Sequence, residues 1–291
     1  MANQLVVRQK VEAADIASLS DAYAKMQALS ATDNRSWLFW AGYHGFPQYQ
    51  CWHHGRVGSD GFPYDLFLPW HRAYLQYWEH TARDQNEGAI LSWWDWTSQT
   101  GIPASYSSPR GPDGKPNPLA SGPMPAMPGS RARRTRRSPD DPSNLPSPAD
   151  VNQVLGLSSF VDFSNQLQDL HDQVHGWVSG DMGVIVTSAF DPIFWAHHCM
   201  IDRLWYLWQL RWGVTNIPPS YLRQTLAPWG LTVQEVLDIH RLGYEYAGAV
   251  ASSPAPPAPR AKASPAPAAP APKASPAPAA PAPKRRAKVK A

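Results

Sequence analysis

Residues Gln168–Trp177 read QDLHDQVHGW and place two histidines, His171 and His175, one helical turn apart. Extended back to Phe160, the segment FVDFSNQLQDLHDQVHGW carries a helical apolar period, so a helix is expected through it. At spacing i, i+4 the two imidazoles leave one helix face and can hold one ion together. Gln168, His171, Asp172 and His175 fall at i, i+3, i+4 and i+7, so an amide and a carboxylate share the histidine stripe. The residues between the histidines are Asp-Gln-Val. That departs from His-Glu-x-x-His and removes support for a zinc protease.

A third imidazole comes from FDPIFWAHHCMIDRLWYLWQ, where Asp191 and Pro192 form a cap and first-turn pair for another helix. His197 and His198 are about 100° apart around that helix, so one is expected at an ion and the other in packing. The N-terminal half holds a matching set: His44 in AGYHG, His53 or His54 in CWHHG, and His71 in LPWHRAYL. His80 falls nine residues after His71, on the opposite helix face, and is set aside. His240 has no neighbouring partner and is read as structural. Any one of the ten histidines is more often a packed or surface residue than a ligand. Two sets of three are a far stronger signal. An all-imidazole donor set suits copper, while softness alone leaves zinc and iron open.

The remaining pattern is helical. ADIASLSDAYAKMQAL has a helical apolar period, Asp33 can cap a helix that Gly45 would end, and Pro69 is tolerated in a first turn. Strand signals are few. The expected class is mainly α: a four-helix bundle around a dinuclear metal site, with long irregular loops. One such loop runs from about 98 to 147, rich in Pro, Gly and Ser, and is read as a surface loop or lid. Its RARRTRR run is not read as a nucleic-acid site.

Composition sets the outer limits. Eleven per cent aromatics and 14 Trp can build a substantial core. No apolar run is long enough to span a bilayer, and the first twenty residues lack the pattern of a signal peptide. Two cysteines cannot make a disulfide framework, so a cytoplasmic location is expected, although export on a partner's signal would leave no trace. The net charge of +3 hides an asymmetry. Residues 249–291 hold eight basic residues and no acid, which leaves 18 basic against 23 acidic in the remainder. That tail repeats KASPAPAAPAP and is expected to be an extended, disordered spacer, with weak polyanion contact the lesser reading. The folded part is mildly acidic and a poor nucleic-acid binder.

LPWHRAYLQYWE, LHDQVH and FDPIFWAHHCMIDRLWYLWQ together resemble the tyrosinase, catechol oxidase and molluscan haemocyanin family of type-3 copper proteins. LGYEY at 242–246 is similar to the tyrosine motif that ends the catalytic domain there, and Arg8 matches an arginine that packs near it. The likeness spans roughly residues 5–247, within an expected catalytic domain of residues 1–248. It implies one copper on His44, His53 and His71, and a second on His171, His175 and His198, with O2 bound between them and His197 not a ligand. Family members usually carry a ligand nine residues before the PWH histidine. Here position 62 is Phe, so His54 stands as the alternative to His53. Cys51-Trp52-His53 looks like the family's Cys-x-His unit, which implies a Cys51–His53 thioether, with a buried free thiol as the equal reading.

The resemblance also implies phenolic substrates. Phe194 and Ile185 would line the entrance to the second copper, where the alternative is plain core packing, and Gly176 would leave its rim open. In hydroxylating relatives a Glu and an Asn hold a water for deprotonating monophenols. The corresponding residues here are Gln168 and Asp172, with amide and acid exchanged. Asp172 is the expected base, against the plainer role of orienting His171. The implied activity is monophenol hydroxylation with o-diphenol oxidation, with catechol or o-aminophenol oxidation alone as the alternative and O2 carriage as the lesser one. Pro-Ala repeats cannot supply a folded shielding domain of the kind many family members carry, so the resemblance leaves three expectations: an unshielded chain, a separate copper-delivering partner, or the 98–147 loop as a lid.

Overall fold

The computed structural model describes residues 5–48, 50, 51, 66–215 and 217–249. The expectations for His53, His54, a Cys51–His53 bond and the basic tail from residue 250 onward lie outside them. Among the described residues the helices are α1 (Ile16–Ala28), α2 (Trp37–His44), α3 (Phe67–Gln85), the single turn α4 (Ala104–Ser107), α5 (Pro148–Leu155), α6 (Phe160–Val178), the single turn α7 (Ile185–Ser188), α8 (Ile193–Trp212) and the single turn α9 (Pro219–Leu222). The chain is mainly helical, as the apolar periodicity implies, and no described helix is long and apolar enough to cross a membrane.

Helix boundaries follow local chemistry. Ser36, not Asp33, caps α2: its hydroxyl accepts from Phe39 N–H at 3.1 Å, while Asp33 closes a turn on Arg35. Ser36 immediately precedes the first helical residue and has the extended backbone a cap needs. Gly45 ends α2 for a second reason, since a Cβ there would collide with the carbonyl oxygen of Val186. That approach seats the end of α2 against α7. Helix α8 starts at Ile193, one residue later than the sequence implies, with Asp191 still accepting from Ile193 N–H at 3.1 Å. Pro69 is the third residue of α3, where no intrahelical N–H is required.

The sequence hid a small parallel sheet. Strand β1 (Val6–Lys10) lies between β2 (Ser92–Trp93) and the C-terminal strand Tyr244–Tyr246, pairing Val6 with Tyr244 and Arg8 with Tyr246. These strands are too short to show alternation. Side chains hold them to the bundle instead. The wholly buried Arg8 guanidinium donates to Glu79 on α3 at 2.9 Å and to the Tyr246 hydroxyl at 3.1 Å. Asp202 on α8 pairs with Arg72 at 2.5 Å and Arg8 at 3.4 Å, and accepts from the hydroxyls of Tyr244 and Tyr246 at 2.7 and 2.6 Å. Burial alone would raise Asp202, yet the two guanidinium groups and two hydroxyls hold its carboxyl below the ordinary range. Both ends of the folded part are thus tied to the two central helices.

The stretch 98–147 is irregular, as expected, but firmly anchored. Arg137 pairs with the buried Asp191 at 2.6 Å and donates to the Tyr106 and Leu119 carbonyls. Arg133 pairs with Asp181 at 2.5 Å. Two arginines of the RARRTRR run therefore serve internal ion pairs at the N-terminus of α8 and beyond the end of α6, which accounts for part of that basic cluster.

Candidate metal centre

Four helices each bring imidazole to one region: His44 from the last residue of α2, His71 from α3, His171 and His175 from α6, and His197 and His198 from α8. Their ligand atoms form two groups, each closed within 4.8 Å: first His44, His71 and His198, and second His171, His175, His197 and His198. His198 belongs to both, its ring stacked on that of His71 at 4.3 Å. His80 and His240 are exposed and belong to neither group.

The second group has the geometry of a metal site. His198 Nε2 lies 3.3 Å from Nε2 of both His171 and His175. A tetrahedral site with metal–nitrogen bonds of ~2.0 Å separates its nitrogens by about 3.3 Å. The opposite ring nitrogens fix the tautomers. His171 Nδ1–H donates to Asp172 Oδ1 at 2.9 Å, and His175 Nδ1–H to the Met182 carbonyl at 2.7 Å. His71 Nδ1–H likewise donates to the Phe67 carbonyl at 2.8 Å. In each ring Nε2 keeps its lone pair, which an outer hydrogen bond orients as metal ligation requires. Two lone-pair nitrogens crowded against a third are poor hydrogen-bond partners for one another and good partners for a cation.

Electrostatics agree. Burial, reinforced by neighbouring imidazoles, holds His44, His197 and His198 well below the ordinary histidine range. Burial also brings His71 down to about 3, against the opposing pull of its bond to the Phe67 carbonyl. The rings are neutral at neutral pH, the form a metal binds. The donor set is nitrogen alone, which fits copper. The half-buried Cys51 stands at the edge of the described residues, its thiol pushed up to about 12 by burial.

A cavity of about 140 Å³ opens beside the second group, lined by His171, Asp172, His175, Gly176, Met182 and Ile185 among others. Ile185 and Gly176 stand at this mouth, and a Cβ on Gly176 would meet nothing. Two expected neighbours lie elsewhere. Phe194 is wholly buried, its ring packed 4.7 Å from His44 and 4.1 Å from His198, which matches the core-packing alternative. Its place in the first turn of α8 points it into the bundle. Gln168, only 4% exposed, sits one turn below Asp172 where α6 packs into the core, and is not among the residues lining the cavity. Asp172 is there, its side chain 39% exposed.

Sequence reasoning missed several supports. Phe67 lies 4.7 Å from both His71 and His171 and gives His71 its carbonyl. His197, set aside as a non-ligand, stacks on His171 at 5.1 Å and falls within the second group. The Met182 carbonyl has no sequence signal at all, since every residue offers one.

Residues 34–211 match the family model for the common central domain of tyrosinase. The tyrosinase of Streptomyces antibioticus is 30% identical over 219 residues, covering 62% of this chain and 78% of that protein. The tyrosinase of Streptomyces glaucescens is also 30% identical, over 217 residues, with the same shares covered. Among solved structures, a functional unit of octopus haemocyanin superposes with TM-score 0.67 at 25% identity, over 84% of this chain and 68% of that one. The tyrosinase of Burkholderia thailandensis at high pH gives TM-score 0.71 at 22% identity, over 85% and 75%, a likeness of fold.

Proposed function

The chain belongs to the tyrosinase family of type-3 copper proteins, and on that premise we propose that it is a phenol oxidase, hydroxylating monophenols and oxidising o-diphenols to o-quinones. The observation that carries this reading is the 3.3 Å convergence of His171, His175 and His198 beside a cavity that reaches them. His44 and His71, with His53 or His54, would hold the other ion. Two copper ions bound here would supply the O2-binding centre and its electrons.

The protein's own residues do the rest. The cavity mouth at Gly176 and Ile185 admits a flat ring beside His175, with no side chain on Gly176 to obstruct it. Met182 and Ile185 present apolar surface to that ring and limit water. Asp172 lines the same cavity and is the group positioned to accept the phenol proton, directly or through water. Its bond to His171 Nδ1–H lets proton uptake by the carboxylate reach the imidazole it orients. A separate copper-delivering protein and a cytoplasmic location complete the reading, with residues 1–248 as the catalytic domain.

Diphenol or o-aminophenol oxidation alone is the second reading. It is favoured by the short Asp172–His171 bond, which already gives the carboxylate an orienting task, and by the distance of Gln168 from the cavity. The deciding experiment is the copper-loaded protein tested on a monophenol, a catechol and an o-aminophenol, with its optical spectrum recorded under O2. Asp172→Asn is expected to depress the monophenol rate selectively. An unchanged ratio of monophenol to diphenol rates would remove Asp172 as the base. Reversible O2 binding without turnover of any of the three would replace oxidation by O2 carriage.

A further inference from the structure

We propose that Trp70, Trp229 and Tyr77 form an electron-transfer path that carries oxidising equivalents from the metal pair to the protein surface when no phenol is bound. The proposal rests on the oxidase reading above. Its basis is a chain of oxidisable rings that starts at a site imidazole. Trp70 lies 4.9 Å from His71, centroid to centroid, and 5.7 Å from Trp229. Trp229 stacks on Tyr77 at 5.2 Å with an interplanar angle of 22°. Trp70 is fully buried, while Trp229 and Tyr77 are partly exposed, so the path runs outward. Electron transfer between rings decays steeply with separation, and contacts this close make each hop short.

The surroundings give the path a direction and an origin. On the other side of the metal centre Phe67 lies 4.7 Å from His171 and Phe194 6.1 Å from His175, and neither ring oxidises readily. The rings of Trp195, Trp78 and Tyr23 also connect to the site through Tyr74, but all three are wholly buried and offer no exit. Among the described residues Trp229 is the one aromatic neighbour of Tyr77. Tyr74, stacked on His44 at 6.4 Å, and Trp40 also reach Trp229, at 5.7 and 6.0 Å, so Trp229 is the junction of these routes, with the partly exposed Tyr43 a second ring 5.2 Å from it.

Proton chemistry suits reversible transfer. The Trp70 indole N–H donates to the Ala227 carbonyl at 2.7 Å, and the buried Trp229 indole nitrogen has no hydrogen-bond partner. Neither indole faces a base, so each can lose and regain an electron while keeping its proton. Tyr77, at the surface, can release its phenolic proton to water. Reduction of O2 to two waters takes four electrons and four protons. A pair of Cu(I) ions supplies two electrons, the path supplies the other two singly, and the protons come from solvent. Each transfer leaves a neutral tyrosyl radical at Tyr77, which a soluble thiol or similar one-electron donor reduces by returning a hydrogen atom. Without such an outlet the remaining oxidising power falls on the imidazoles.

The test mixes the reduced, copper-loaded protein with O2 in the absence of phenol. Organic radicals are read by freeze-quench electron paramagnetic resonance and oxidised residues by peptide mass spectrometry. The wild type is expected to show an organic radical and oxidation marks on Tyr77. Trp229→Phe, which keeps a ring in the stack, should lose the Tyr77 mark and gain oxidation on the site histidines, with copper content and initial catechol rate unchanged. Tyr77→Phe should leave the radical on tryptophan. The proposal is overturned if the wild type gives no organic radical, or if Trp229→Phe marks Tyr77 as the wild type does. A loaded protein that oxidises catechol but leaves Tyr77 unmarked sinks this inference alone. One that does not react with O2 sinks the oxidase reading with it.

Discussion

Replacing Asp202 by Asn tests whether the charge cluster behind the metal site holds the fold together. The carboxylate is 4% exposed and touches four groups: the guanidinium groups of Arg72 and Arg8 and the hydroxyls of Tyr244 and Tyr246. Asparagine keeps the shape but removes the charge, and its amide turns donors toward two guanidinium groups that only donate. Arg8 then keeps Glu79 as its carboxylate partner, while Arg72 is left with the neutral acceptors Gln209 Oε1 and the Val236 and Leu237 carbonyls. Breaking a buried ion pair in this way costs about 3–5 kcal/mol. At roughly 2–4 °C per kcal/mol for a domain of this size, the melting temperature should fall by about 6–20 °C. Scanning calorimetry of the metal-free protein measures the shift, and a copper titration follows the site. Asp202 lies one turn after His198 on α8, so copper affinity should weaken as well. A drop in melting temperature below about 2 °C would show that the cluster is not the clamp its geometry suggests.

His198→Ala should reduce bound copper from two ions toward one per chain, measured by metal analysis, because its imidazole completes the group with His171 and His175. Gly176→Ala should raise stability by about 0.5–1 kcal/mol, since the position is helical and a Cβ there meets nothing; a larger side chain such as Gly176→Phe should raise KM for catechol without loss of fold. The metal-free protein should lose stability on acidification. Burial lowers His71 to about 3 in the fold against about 6.5 unfolded, so its contribution is complete above pH ~6.5 and falls as pH drops toward 3, by roughly 5 kcal/mol. Denaturant titrations across that range read the slope directly, and a flat profile would contradict it.

The helices and the histidine stripe were legible because both follow from spacing. A period of 3.6 residues puts His171 and His175 on one face whatever else surrounds them. The parallel strands were not legible, since two- and three-residue pairings leave no alternation to detect; Arg8, Arg72, Glu79 and Asp202 signalled them only as charges set among apolar residues. Spacing also placed Gln168 on the cavity stripe, but it carries no information about depth, and one turn along α6 separates the cavity from the core. For Phe194 the sequence left entrance lining and core packing both open, because spacing says nothing of depth; the ring is wholly buried. The Met182 carbonyl that orients His175 is a backbone group and has no letter of its own.

The pairing of β1 with Tyr244–Tyr246 has a consequence for how the protein is made. All of the described site histidines have left the ribosome well before Tyr246, the residue that completes the Arg8 clamp. During synthesis the four helices must therefore gather around an unfastened centre, one whose imidazoles are present but whose bundle can still open. Metal captured at that stage would meet a looser cage than the finished one, and the last strand would act as a latch closed behind it. The order of translation thus makes the Arg8–Tyr246 contact the last to form around the described histidines.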